Sequence, residues 1–130
     1  MARKSTGSVG SVGSASLETK DLRDLVGFDP DEPARADVFE SEHLWSEVVC
    51  LERNQQLGPL SDPGSDAVFL VVAGEVVMQV GKRRKRLKQW GAALAPEGTE
   101  VSVSNASPDP AVLLVVAAPP PPPTPRAGPP

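Results

Sequence analysis

Imidazole and thiol groups are scarce in this 130-residue chain, which holds one His and one Cys. A single Cys cannot form an internal disulfide framework, so we expect a reducing, cytoplasmic location. His43 and Cys50 cannot complete a zinc finger, which needs four such ligands. No apolar run approaches the ~20 residues of a membrane span, and no apolar stretch follows the basic start as in a secretory signal. The sequence therefore predicts neither a membrane protein nor a secreted one.

Proline and glycine are abundant, at 15 and 11 residues, and much of the excess lies at the two ends. Residues 1–16 form a Gly/Ser-rich tail and residues 119–130 a Pro-rich tail, and we predict that both are disordered. Residues 17–45 are expected to form a short N-terminal helix and then an irregular acidic segment, because two prolines there oppose a longer helix. Residues 46–118 remain for one compact domain.

Short β-rich runs separated by turn residues fill the chain from residue 46 onwards. Their spacing, without a helix-length segment among them, predicts an all-β fold with an antiparallel sandwich or barrel. The predicted strands are Glu47–Leu51, Ala67–Val72, Val76–Val80, Arg83–Leu87, Ala92–Ala95, Glu100–Ser104 and Ala111–Ala117. Residues 54–58 are among the segments that we predict as turns.

Two motifs with Gly and Pro at their turns run through this part of the chain. The first runs from Gly58 to Gly74, and the second runs from Gly91 through Pro96 to Asn105. In this order they resemble the two motifs of the cupin family, whose domain is a jelly-roll barrel or double-stranded β-helix. The resemblance implies a cupin-like barrel at residues 46–118, preceded by the short helix.

The family's motifs also carry a cup of metal ligands, two His in the first motif followed by a Glu and one more His in the second. The corresponding positions here hold Leu60 and Asp62 or Ser61 and Pro63, then Ala67 and Val101. A first-row metal needs about three or four protein donors aimed at one point. We therefore predict no bound metal, no cofactor and no catalytic residue.

A cup lined by small and aliphatic side chains could hold a small apolar ligand, or side chains could fill it. The candidate pocket residues are Trp45, Cys50, Ser61, Asp62, Ala67 and Val101. For Trp45, capping of the core or a place in a dimer interface is the more common role. Cys50 lies in an apolar run, which favours a buried core thiol over a reactive one.

Six basic residues occupy seven positions from Lys82 to Lys88, in a chain of net charge −4. A strand at a sheet edge that resists aggregation through its Lys and Arg residues would explain this segment. Salt-sensitive binding of an anion or nucleic acid through Arg83, Arg84 and Arg86 is the alternative. The acidic balance of the whole chain argues against a nucleic-acid partner.

These observations predict a non-catalytic, metal-free cupin-like barrel. It would bind a small molecule or serve as a structural, self-associating module, and a homodimer is the expected assembly because cupin-like proteins commonly form dimers. Two alternatives remain open. One is a cupin-type oxygenase or isomerase with an atypical site, and the other is anion or nucleic-acid binding through residues 82–88.

Overall fold

The computed structural model describes residues 16–122, which form nine β-strands and one 3-10 turn. Among these residues, no helix is long and apolar enough to cross a membrane. The strands are β1 (Ala34–Glu40), β2 (Trp45–Leu51), β3 (Gln56–Leu60), β4 (Asp66–Ala73), β5 (Glu75–Val80), β6 (Arg83–Lys88), β7 (Ala92–Ala95), β8 (Val101–Ser104) and β9 (Ala111–Ala118).

The strands form two antiparallel sheets that enclose one main core. The five-stranded sheet has the order β1-β2-β9-β4-β7, and the four-stranded sheet has the order β3-β8-β5-β6. Phe69 and Leu113 from the first sheet share a buried cluster with Val76, Met78 and Val103 from the second. This arrangement confirms the predicted all-β architecture.

A second, smaller cluster lies on the outer face of the five-stranded sheet. Val48, Cys50 and Val112 point to this face, and Leu22 and Leu25 of the N-terminal segment pack against them. Side chains alternate between the two faces of a strand. One face of β2 and β9 is covered by the four-stranded sheet and the other by the N-terminal segment. Both strands therefore carry apolar side chains on both faces.

The predicted N-terminal helix is wrong, because the segment forms only a 3-10 turn at Leu22–Leu25. The Asp21 side chain caps this turn by accepting a hydrogen bond from the Arg23 N–H at 3.0 Å. The chain returns to an extended conformation at Val26. Leu17 is 90% exposed, whereas Leu22 and Leu25 pack against the sheet from this 3-10 turn.

Two strands were missed by the sequence analysis. Strand β1 lies in the segment predicted to be irregular, and its charged side chains find partners across the pair with β2. Strand β3 overlaps the turn predicted at residues 54–58 and pairs with β8 at the edge of its sheet. Its Gly58-Pro59 sequence is tolerated there because an edge strand needs hydrogen bonds on one side only. The seven predicted strands are all present, with ends within two residues of those predicted.

Of the disordered tails predicted at residues 1–16 and 119–130, residues 1–15 and 123–130 lie outside the described residues. The first residues of the Pro-rich segment, however, are attached to the barrel. The Ser65 hydroxyl donates a 2.7 Å hydrogen bond to the carbonyl of Pro119, and Pro121 is buried.

Candidate functional site

Four of the six predicted pocket residues meet at one end of the barrel. Ser61, Asp62, Ala67 and Val101 line a pocket that measures about 10 Å³. Its remaining lining residues are Ser65, Ala95, Pro96 and Thr99. This volume corresponds to about one water molecule.

Strand pairing brings these positions together. Ala67 on β4 lies opposite Ala95 on β7, and Leu60 at the end of β3 lies opposite Val101 at the start of β8. The loop after β3 is then fixed by a 2.6 Å hydrogen bond from the Gly98 N–H to the Asp62 carbonyl. The positions that the family resemblance assigned to a metal cup are therefore neighbours in space.

The donor atoms in this pocket do not fit a transition metal. Ala67 and Val101 contribute no side-chain donor, and Asp62 is the only carboxylate among the lining residues. Neutral hydroxyl groups such as that of Thr99 are poor ligands for iron, zinc or nickel, which take imidazole, thiolate and carboxylate. Within residues 16–122, no group of three His, Cys, Asp or Glu side chains could hold a metal ion. His43 is exposed in the turn between β1 and β2.

Trp45 and Cys50 are not part of this pocket. Trp45 is fully buried in the main core, and its indole N–H donates a 2.9 Å hydrogen bond to the Asp37 carboxylate. Cys50 lies in the cluster on the outer face of the sheet. Burial raises the pKa of the Cys50 thiol, an effect only partly opposed by a backbone hydrogen bond from Gly27. Both residues therefore contribute to packing.

A buried ion pair near the β1–β2 edge was missed by the sequence analysis. The Arg35 guanidinium approaches the Glu47 carboxylate through Nε at 3.0 Å and through a terminal nitrogen at 2.8 Å, and Glu47 is completely buried. Such two-pronged pairing satisfies a carboxylate well and fixes its orientation. Alternation of charged and apolar residues over Ala34–Val38 is a signal that would have predicted β1, although it does not identify Glu47 as the partner of Arg35.

Asn105, the last residue of the second motif, is a structural clamp. It is completely buried, and its amide group donates to the carbonyls of Leu51 at 3.0 Å and Asp109 at 2.8 Å. Its carbonyl oxygen accepts from the backbone N–H and the hydroxyl of Ser107, both at 3.0 Å. Asn105 thereby joins the β8–β9 loop to the end of β2.

The basic segment forms β6, an edge strand of the four-stranded sheet. Arg83, Arg84 and Arg86 are exposed. Successive side chains of a strand point to opposite faces. Arg86 forms an ion pair with Glu75 at 3.3 Å on the neighbouring strand. The three arginines are thus divided between two faces, and anion binding by them stays a prediction.

Comparisons with known proteins agree with this geometry. The protein TT1209 from Thermus thermophilus is 39% identical, with a TM-score of 0.78, over 81% of this chain and 100% of its own. An uncharacterized protein with a double-stranded β-helix domain from Klebsiella pneumoniae is 23% identical, with a TM-score of 0.75, over 80% of this chain and 91% of its own. An RmlC-like cupin protein from Desulfovibrio desulfuricans is 22% identical, with a TM-score of 0.73, over 81% of this chain and 99% of its own.

No family model and no curated protein matches the sequence. The structural similarity nevertheless spans about four-fifths of the chain and nearly the whole length of the three proteins compared. The two sheets and the strand pairing that unites the motif positions are those expected of a double-stranded β-helix. This chain therefore has the cupin fold, a double-stranded β-helix.

Proposed function

We propose that this protein is a non-catalytic, metal-free cupin that acts as a structural, self-associating module in the reducing cytoplasm. The observation that supports this proposal is the filled cup. By the resemblance of the two motifs, Ala67 and Val101 correspond to positions at which cupins carry metal ligands, and the space between them and their neighbours is about 10 Å³. A metal-dependent oxygenase or isomerase reaction needs donors that these side chains do not have.

The same pocket is too small for an organic ligand. Binding sites for small molecules enclose volumes of about 300–1,000 Å³. The space between the sheets is occupied by apolar side chains, among them Phe69, Val71 and Val103, each almost fully buried. Association with another protein surface therefore explains the fold better than a ligand held inside the barrel.

A surface for self-association lies on the outer face of the five-stranded sheet. The cluster that the N-terminal segment joins covers this face over β1, β2, part of β9 and the end of β4, where Val72 and Ala73 lie. Over β7 and the rest of β4 the face is open, and the cross-strand pair Val68 and Leu94 is 43% and 59% exposed. Leu70 and Ala92 continue the open face by one further pair. These side chains carry no charge, which is typical of the buried centre of homodimer interfaces.

A second copy of this chain is the occupant that we propose for the open face. The face is continuous with the covered cluster, since Leu114 packs against that cluster and lies opposite Leu70. The layer that the N-terminal segment forms over the sheet thus ends where the open face begins. A matching flat, aliphatic face on a second copy would complete the layer over a two-fold axis.

Native mass spectrometry and sedimentation velocity on the full chain test this proposal. We expect a species of twice 13.6 kDa without bound small molecules or metals. Leu94→Glu should convert it to the 13.6 kDa monomer, because a carboxylate would be buried without a partner. Leu17→Glu, at an exposed residue outside the open face, should leave the dimer unchanged. A monomeric wild type, or a stoichiometric organic adduct, would refute the proposed function.

A further inference from the structure

Strand β6 presents one unpaired edge, within the part of the chain that the structure describes. It pairs with β5 along its whole length, from Arg83 to Lys88, and is the last strand in its sheet. Every residue of β6 except Leu87 is exposed. The other edge of the strand therefore offers backbone N–H and C=O groups to a further strand, apart from the Lys88 carbonyl, which accepts a 2.8 Å hydrogen bond from the Gly91 N–H.

Basic side chains stand on both faces of this strand. Leu87 lies opposite Val76 and points to the core, so Arg83 and Lys85, which are four and two residues away, share its face. The opposite face carries Arg84, Arg86 and Lys88. Of these, Arg86 forms an ion pair with Glu75 at 3.3 Å. Positive charge is thus distributed over two rows rather than concentrated in one patch.

This distribution discriminates between two kinds of anionic partner. A phosphate backbone lies along one surface and would meet one of the two rows. An extended peptide added to the sheet edge alternates its own side chains between both faces. Acidic residues on such a peptide would lie opposite both basic rows, and opposite charges in cross-strand pairs are favourable.

We propose that β6 binds an acidic, extended peptide segment of another protein, which joins the four-stranded sheet as an additional strand. Backbone hydrogen bonds to the free edge supply the alignment, and the two rows of Lys and Arg select acidic side chains. The same charges disfavour pairing of β6 with a second β6, because like charges would then face each other. The site is separate from the open face of the other sheet, on which self-association depends.

Fluorescence anisotropy with a labelled octapeptide of sequence TEVEEVET tests the proposal on the full chain. Its second and fourth residues face one side of an extended strand, and its fifth and seventh face the other. We expect saturable binding at 50 mM salt. The same peptide methylated on alternate backbone nitrogens keeps its charge but loses the N–H donors of one edge. We therefore expect it to bind at least tenfold more weakly.

Three matched variants locate the binding. Lys85→Glu on one face and Arg84→Glu on the other should each weaken binding at least fivefold. Arg53→Glu makes the same change of net charge at an exposed residue outside the sheet, and we expect less than a twofold effect. All three positions are exposed, so the variants should fold as the wild type does, which circular dichroism would check.

Several results would overturn the proposal. They are no binding at 100 µM peptide, equal binding of the methylated peptide, an effect of Arg84→Glu without one of Lys85→Glu, and tighter binding of a labelled hexathymidylate than of the peptide. The last result would indicate nucleic-acid binding instead. None of them changes the mass of the protein in solution, so failure here is distinguishable from failure of the proposed function.

Discussion

Replacement of Asn105 by Ala should be among the most destabilising single changes in this barrel. The side chain is completely buried and takes part in four hydrogen bonds, of 2.8–3.0 Å, with Leu51, Ser107 and Asp109. The Ser107 hydroxyl and the Asp109 carbonyl keep a 3.1 Å hydrogen bond to each other. Two buried groups, the Leu51 carbonyl and the Ser107 N–H, would lose the hydrogen bond that Asn105 makes with them. Each unsatisfied buried group costs about 1–3 kcal/mol.

We therefore expect Asn105→Ala to lower the free energy of unfolding by about 2–6 kcal/mol. For a domain of this size, that corresponds to a fall in Tm of about 10–35 °C. Urea unfolding monitored by Trp fluorescence gives the free energy, and a thermal scan gives the Tm. Gln56→Ala is the matched control, because the exposed Gln56 amide makes one 3.3 Å hydrogen bond to Gly58. If Asn105→Ala lowered the free energy of unfolding no more than the control does, the structural role of Asn105 would be refuted.

Gly74→Ala and Gly98→Ala should differ although both residues have a positive φ: a Cβ at Gly74 would lie 2.5 Å from the Pro110 carbonyl oxygen, whereas one at Gly98 meets nothing within 4 Å. We expect about 1 kcal/mol of destabilisation for Gly98→Ala and about 3 kcal/mol or more for Gly74→Ala in urea unfolding, and equal losses would contradict the close approach. Cys50 should react with a thiol-specific disulfide reagent at pH 8 at least tenfold more slowly in the folded protein than in urea, and equal rates would contradict its burial. Because folding raises the pKa of this thiol, the free energy of unfolding should decline as the pH rises above the usual thiol range. An increase in the free energy of unfolding over that pH range would contradict this expectation.

The sequence was sufficient to predict the strands whose apolar residues and turns are both local signals. β4 and β9 are long apolar runs, and the turn residues before β7 and β8 mark their starts. The alternation within β1 indicates a strand, but it does not show that the charged residues of β1 face inward. Arg35 is 20% exposed and Glu47 is completely buried, and the ion pair between them compensates for the burial of both charges. A pattern of hydrophobicity cannot register such compensation.

The candidate site was predictable in part for a similar reason. Ser61, Asp62, Ala67 and Val101 were brought together because motif spacing reflects the pairing of β3 with β8 and of β4 with β7. Cys50 was misplaced because β2 is apolar on both of its faces. Which face carries the barrel core depends on a second layer, the N-terminal segment, and no local pattern in β2 records that layer.

The open face over β4 and β7 also depends on a second layer that the sequence of the strands does not identify. Val68 and Leu94 belong to strands whose continuous apolar sequence predicts cover on both faces. The described residues cover the inner face of the sheet, but they cover its outer face only over β1, β2, part of β9 and the end of β4. Self-association would cover the part of the outer face that a single chain leaves open, as the apolar sequence of these strands predicts.

Elemental analysis of the full-length protein tests the central claim most directly, after expression in medium enriched in iron, manganese, nickel and zinc. A pocket whose two key positions are Ala67 and Val101 should retain fewer than about 0.1 metal ions per chain after gel filtration. Growth without added metals should leave the Tm unchanged. About one ion per chain, lost in Asp62→Asn and accompanied by a higher Tm, would contradict a barrel without a metal site.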